Sequence, residues 1–378
     1  MKKLAFLIAY EQSPHAGTLR PFLNWAKELK NDYELIFVLY KCGNKIMNTT
    51  ETKLERIHIF EAPKIGEIIK YLKKENIDWI IGDDYYPRLK LITKIKKSVN
   101  CSSAIYAQVL FGFNSISRAS SHSHLPLKSK IVLKGASLVP FKLLTNGYVN
   151  NLNEHDLIIP NSRNVRLILQ ILYGIDAEPH VYPPLDVDFF KNSLTEKSPN
   201  NVLIYLGSNA GDTKSKFLKN IIELLINKKF CVNVFGNIEL MEMLCTKYSV
   251  VPHLNISDIE MVNLYSKNLL TISPQKFEMF GYVPVESMAC GTPVVAFDLM
   301  GPSEIIIDGK TGWLAKNEEE FINKLNSISQ KDFDKMDIKL IREYVVDNFS
   351  HEKSTKNLEE ILRSNFGDFE NENKSKDK

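Results

Sequence analysis

The sequence predicts an α/β protein of two successive doubly wound, Rossmann-like domains. Three observations predict it. The chain has 378 residues, and a domain takes about 150. Short β-branched runs alternate with amphipathic helical runs, as in a parallel sheet covered on both faces. The alternation is interrupted once, over residues 183–200, by a stretch rich in Pro, Asn, Ser and Lys that has the composition of a linker.

LAFLIAY opens the series as a core strand. It follows Met-Lys-Lys and so mimics a secretory signal, but the apolar stretch ends at Glu11 with no small-residue cleavage site beyond it. A helix is expected over 17–30, then the strand YELIFVLY. A helix over 65–74 leads to IDWIIG, and one over 87–97 leads to SSAIYAQVL. The pattern lapses over 111–150 and resumes with HDLIIP, a helix from Ser162, and PHVYPP. Past the linker come NVLIYLG, a helix over 214–228, CVNVFG, a helix over 238–248, NLLTISP, a helix over 284–289, and TPVVAF. Helices over 318–327 and 333–348 close that domain, and a last one covers 352–364. The expected divisions are therefore 1–185, 186–350, a helix at 351–366 and a tail, 367–378, with almost no apolar residue and hence disordered.

Composition narrows the function. Hydrophobic residues make up 44% and charged residues 25%, which excludes global disorder. A net charge of +3 is too balanced for a protein that coats nucleic acid. The five cysteines never come closer than 14 positions, so no zinc ribbon, CxxC pair or dense disulfide framework is possible and a reducing cytosol is expected. The longest charge-free run, Ser98 to Ser117, is too polar to span a membrane. Residues 1–190 carry 25 basic and 18 acidic groups, so the positive charge lies in the first half. Within 101–150 stand Arg118, Lys128, Lys130, Lys134 and Lys142 and no acid, interleaved with apolar residues. That segment suits an anionic membrane surface; it equally suits an ordinary helix with a solvated Lys face.

The chemistry concentrates in residues 273–314, SPQKFEMFGYVPVESMACGTPVVAFDLMGPSEIIIDGKTGWL. Glu278 and Glu286 are separated by seven residues, with FGYVP supplying a glycine and a turn between them. Pro284 suits the first turn of a helix, which would place Glu286 near the positive end of the helix dipole. The amides of Phe280, Gly281, Tyr282 and Val283 would then face a cleft at the strand ends. Carboxylates accept hydrogen bonds from vicinal diols, and amides donate to phosphate oxygens, so this stretch can hold a sugar, a diphosphate and a ribose side by side. Ala289-Cys290-Gly291-Thr292-Pro293 ends a helix and starts a buried strand, and Asp308-Gly309-Lys310-Thr311-Gly312 is a tight turn.

This stretch resembles the donor-binding signature of the retaining glycosyltransferases of the GT-B fold, in the large family four that uses nucleotide-sugars. The family reads approximately E-x-F-G-x-x-x-x-E-A-M-A-x-G-x-P-V-V-A, then D-G-x-x-G-x-L. Here Glu278 to Gly281, Glu286 to Ala289 and the run to Ala296 match it, with Ser287 in place of the usual Ala. HDLIIPNS, YGI and VYPPLDVDFF resemble the end of the family's first domain, and VVDNFSHEKSTKNLEEIL its C-terminal helix, which crosses back to that domain. The first 150 residues match only at the level of fold.

The resemblance implies a GT-B architecture, two Rossmann-like domains facing a central cleft, and transfer of a sugar from a UDP- or GDP-linked donor to a glycan or lipid-linked acceptor with retention. It implies no cofactor and no metal, since Lys214 and helix amides neutralise the diphosphate. Glu286 is implied to bind the ribose, and Glu278 the donor sugar and the charge at its anomeric carbon. Gly17 and Gly207 let the backbone approach the ligand, and His15 and Arg118 are acceptor-side candidates. The family carries Gly-Arg after the first strand of its second domain and Lys six positions later. Here Gly207 is followed by Ser208, and Lys214 is kept. One cation is thus missing from the phosphate clamp, which opens the alternative of a non-catalytic sugar-nucleotide-binding or scaffold protein. The expected location is cytoplasmic, on the membrane face if 111–150 binds there. His122 and His124 form an H-x-H pair without nearby carboxylates, so no metal site is expected. Asp83 and Asp84 are expected in a solvated turn. No G-x-S-x-G elbow, P-loop or G-x-G-x-x-G after the first strand is present.

Overall fold

The computed structural model describes residues 2–9, 18–40, 57–62, 64–113, 139–191, 197–207 and 215–366. The chain divides into two compact units. The first draws on Met1–Phe111, Thr145–Pro184 and His351–Lys378, the second on Gly112–Leu144 and Leu185–Ser350. Among the described residues no helix is long and apolar enough to cross a membrane.

The first unit holds six parallel strands: β1 (Lys2–Ala9), β2 (Tyr33–Tyr40), β3 (Ile57–Ala62), β4 (Trp79–Asp83), β5 (Ser102–Ala107) and β6 (Leu157–Pro160). Their order is β3-β2-β1-β4-β5-β6, that of doubly wound nucleotide-binding sheets. Strand β1 is central, with Leu4 opposite Leu35 on one side and Trp79 on the other. Helix α1 (Arg20–Leu29) carries Pro in its first turn and buries Phe22, Trp25, Ala26 and Leu29, one stripe at helical spacing. α2 (Ile65–Glu75), α3 (Tyr86–Ser98), α4 (Phe141–Leu152) and α5 (Arg163–Ile168) follow, α5 capped by the Ser162 side chain.

The second unit repeats the plan with β7 (Asn201–Tyr205), α6 (Ser215–Asn227), β8 (Cys231–Phe235), α7 (Ile238–Cys245), β9 (Val250–His253), α8 (Asp258–Lys267), β10 (Leu270–Ser273), α9 (Tyr282–Ala289), β11 (Val294–Phe297), α10 (Gly301–Ile305) and β12 (Gly312–Ala315). The sheet order is β12-β11-β10-β7-β8-β9. α11 (Glu318–Ser327), α12 (Gln330–Asp334) and α13 (Ile338–Phe349) complete it. The single helix expected over 333–348 is two, because the Asp337 side chain accepts from the amides of Lys339 and Leu340 and starts a new one. The last helix, α14 (His351–Phe366), belongs to the first unit, where Trp25 Nε1 donates to Ser354 Oγ at 2.9 Å and His351 Nε2 lies 3.1 Å from Glu28 Oε1.

Two expectations are corrected in the first unit. PHVYPP forms no strand: Val181 donates to Pro160 O, but the prolines beside it have no N–H for a ladder. Asp83 and Asp84 are not in a solvated turn. They are 3% and 0% exposed. Asp83 takes a two-pronged ion pair from Arg88, Nε to Oδ1 at 2.9 Å and Nη2 to Oδ2 at 2.6 Å. Asp84 accepts the amides of Gln108, Val109 and Leu110 and the Tyr148 hydroxyl, so it ties the segment after β5 to the end of β4.

One buried group links this unit's stability to pH. His155 lies between Thr93 Oγ1 at 3.1 Å and Ser103 Oγ at 3.0 Å. Burial, with Lys96 nearby, pushes its imidazole down from 6.5 to about 3. The unfolded chain then takes up a proton below pH 6.5 that the folded chain refuses until about pH 3. Stability present above pH 6.5 is lost as pH falls through that window, by about 3 kcal/mol at pH 4. Urea unfolding at pH 7 and pH 4 should show this loss, and His155→Gln should remove its share. An unchanged slope in the variant would assign the acid sensitivity elsewhere.

Candidate active site

In the second unit the strand order reverses between β7 and β10. In open α/β sheets ligands bind beyond the strand C-termini at such a point. Gly207 lies two residues past β7 with φ +81°. Gly236, past β8, has φ +112°, and a Cβ there would stand 2.7 Å from the Gly207 carbonyl oxygen. Past β10, Ser273 Oγ donates to Gln275 Oε1, and Gln275 Nε2 donates to Tyr205 O at 2.7 Å. The ends of β7 and β10 are thereby joined at the reversal.

The segment from Glu278 to Gly281 rests on the start of α10. The Gly301 amide donates to Glu278 O at 2.8 Å, and a Cβ on Gly301 would stand 1.9 Å from Phe280 O. Met300 holds φ +56°, a region that non-glycine residues seldom enter and that gathers at functional sites. Glu278 is half-buried and Phe280 is 4% exposed, its ring edge-on to Tyr282 at 5.4 Å.

Gly281 is the N-cap of α9 at φ +101°. A glycine takes this conformation without steric cost, so α9 starts at Tyr282 rather than at the expected 284. Pro284 is its third residue, and Glu286 falls in the second turn rather than the first. The N-cap glycine has no side chain with which to cap this helix start. The amide of Val283 is among those a helix start leaves to partners outside the helix, whereas Pro284 has none. Tyr282 and Val283 are half-buried. Glu286 is 5% exposed, and its Oε2 accepts from the Tyr265 hydroxyl at 2.8 Å.

The substitution at Ser287 has a local explanation. Its hydroxyl lies 2.8 Å from Thr271 Oγ1 and 2.9 Å from Thr292 O, and all three residues are fully buried. A polar partner on β10 thus meets the serine. Nearby, burial pushes the Cys290 thiol up to about 12, with Glu286 adding to the rise, so this cysteine is no nucleophile at neutral pH.

Glu278, Phe280, Gly281, Tyr282, Val283 and Glu286 are thus brought onto one connection, with Gly207 across the reversal point. His15, Gly17, Arg118, Ser208 and Lys214 lie outside the described residues, as do His122, His124 and the tail 367–378. Sequence reasoning missed Tyr265, Met300 and Gly301. The Gly301-Pro302 pair was a usable signal, since Pro takes the first turn of α10. Tyr265 had none: it is an apolar-face residue of α8 until its hydroxyl is seen on Glu286.

Residues 238–344 match the family model of glycosyl transferases group 1. Over that segment the chain resembles the group 1 glycosyltransferases. It contains both glutamates, α9 and Gly301. The chain is 33% identical to the α-1,3/1,6-mannosyltransferase alg-2 of Neurospora crassa over 110 residues, 28% of this chain and 23% of that protein. It is 38% identical to the Dictyostelium discoideum α-1,3/1,6-mannosyltransferase ALG2 over 90 residues, 23% of this chain and 21% of that protein. The chain therefore spans less than a quarter of the length of these curated relatives. Solved structures match over nearly the whole chain. The Anabaena protein HepE in complex with UDP has a TM-score of 0.69 at 17% identity, covering 96% of this chain and 100% of that one. A glycosyltransferase from Rickettsia africae has a TM-score of 0.70 at 19% identity, covering 97% and 98%. The fold is that of the GT-B glycosyltransferases, and the group 1 segment lies in the second unit.

Proposed function

We propose that this chain is a retaining glycosyltransferase that moves a sugar from a UDP- or GDP-linked donor to a glycan or lipid-linked acceptor without a metal ion. One observation carries the proposal: the Glu278–Glu286 connection leaves β10 at the point where the sheet order reverses, with Glu286 buried and held by Tyr265. The named activities of the relatives and the UDP bound to HepE agree with it.

Glu286 would accept the ribose hydroxyls. The start of α9 and Lys214 would take the diphosphate, with Gly207, Ser208 and Gly17 allowing close approach. Glu278 would hold the donor sugar and the positive charge growing at its anomeric carbon. The departing diphosphate would take the acceptor's proton on the same face, so no protein nucleophile is required. His15 and Arg118 would serve on the acceptor side. For a lipid-linked acceptor the segment 111–150 would meet an anionic membrane; Val139 and Leu143 are 39% and 68% exposed on either side of Lys142.

Calorimetric titration with UDP, GDP and ADP in the presence of EDTA tests this reading. One nucleotide is expected to bind, and Glu286→Ala to weaken it by about 10–100-fold, the loss of hydrogen bonds to a charged group. If none of them binds the wild-type chain, either the clamp that carries Ser208 in place of Arg has failed or the acceptor must bind first, and the scaffold alternative moves ahead.

A further inference from the structure

Glu286 has a long, flexible side chain, yet the proposed role requires one orientation. The structure shows what supplies it. The Tyr265 hydroxyl donates to Glu286 Oε2 at 2.8 Å, and Tyr265 is 0% exposed. Its ring is fixed edge-on to Phe235 at 6.2 Å. Its backbone is fixed as well: Tyr265 O accepts from Thr292 Oγ1 at 2.7 Å. Thr292 Oγ1 in turn accepts from Lys197 Nζ, which also donates to Asn268 O at 3.2 Å and Ser266 O at 3.4 Å. Lys197, Thr292 and the end of α8 lie at the N-terminal ends of the strands, opposite the candidate site. The far end of α9 is held too, by Arg342 Nη1 donating to Ala289 O at 2.8 Å.

We propose that Tyr265 is a positioning residue for the nucleotide. It holds Glu286 in the rotamer that meets the ribose diol, anchored through Thr292 to the half-buried ammonium of Lys197. This rests on the proposed role of Glu286. With Oε2 engaged by the hydroxyl, the carboxylate presents its remaining lone pairs in one direction, and binding no longer has to immobilise it. Burial pushes Lys197 down to about 8, so the ammonium is still mostly charged at neutral pH, where it can donate to all three oxygens. Among the described residues, Cys290 is the titratable group that acts on Lys197, and its thiol, raised to about 12, is neutral there.

Tyr265→Phe keeps the ring and its packing, and the melting temperature reports that the fold is intact. Titration with the nucleotide that binds the wild-type chain is expected to show about tenfold weaker binding. The donor KM should rise in step while kcat stays within about twofold, because an orienting contact made equally in ground and transition states moves KM alone. The decisive readout is a double-mutant cycle with Glu286→Gln. If Tyr265 acts through Glu286, the hydroxyl costs nothing further once the carboxylate is gone. Wild-type affinity in Tyr265→Phe overturns the proposal, as does an equal loss in both backgrounds, which would be a general structural effect. Undiminished binding by Glu286→Gln alone is a different failure: it removes the ribose role of Glu286, and this proposal with it.

Discussion

Glu278→Ala is expected to slow sugar transfer by about 10²–10³-fold while leaving nucleotide binding within about twofold of wild type. The side chain is half-buried in a segment whose position is fixed by the Gly301 amide on Glu278 O, at 2.8 Å. In its proposed role, a carboxylate held there would act on charge that develops only as the anomeric carbon loses its diphosphate. Removing a preorganised group of this kind costs about 10²–10³ in kcat. The nucleotide does not feel the loss, because its hydroxyls are assigned to Glu286. The two variants should thus separate: Glu286→Ala loses affinity and Glu278→Ala loses rate. Turnover of Glu278→Ala near wild type would remove the residue from catalysis, and parallel losses of affinity in both would show that the two carboxylates serve one ligand group.

Gly301→Ala should have an effect of similar size without touching a side chain of the site. A Cβ at 301 would stand 1.9 Å from the Phe280 carbonyl oxygen, 2.3 Å from its carbon and 2.5 Å from its Cα. All three are backbone atoms, so no rotamer change relieves the clash. The segment carrying Glu278 must move by roughly an ångström, and displacements of that order cost about 10²-fold in rate. Overpacking of this kind also costs about 1–3 kcal/mol of stability. Gly66 is the control. It lies in α2 with nothing within 4 Å of a Cβ, and Ala there should stabilise the chain by about 0.4–1 kcal/mol. Activity and urea unfolding of both variants decide the matter. If Gly301→Ala retains full turnover, the rigid support drawn here between α10 and the Glu278 segment is not needed for the reaction.

The elements that sequence reasoning recovered and those it missed differ in a physical way. The inner strands β1, β2, β4, β5, β7, β8, β10 and β11 are flanked on both sides, and apolar residues dominate their runs. All of them were legible. The strands that were not legible, β3, β9 and β12, are sheet edges. IHIFEA, VVPH and GWLA carry His, Glu, Pro or Gly because an edge strand needs less apolar surface and tolerates a missing donor. α8 was missed for a related reason. DIEMVNLYSK shows little amphipathic contrast and is announced instead by its cap, where Ser257 and Glu260 form a reciprocal pair. Asp83 and Asp84 were misread because their burial depends on Arg88, on the amides after β5 and on Tyr148, 64 positions away.

The sequence by itself determined the α/β class, the two-unit repetition and the stretch to which the chemistry is assigned. These depend on the period of apolar residues along the chain and on the spacing of Glu278, Gly281, Pro284 and Glu286, all of which are local. Only the tertiary structure decided how that stretch is held. The Tyr265 hydroxyl reaches Glu286 across 21 positions, the Lys197 ammonium reaches Thr292 across 95, and Gly301 leaves no room for a side chain beneath Phe280. Such contacts have no signature in one strand or helix. A tyrosine that orients a carboxylate and one that fills a core have the same local pattern, and the difference lies in which group the fold brings within 3 Å of the hydroxyl.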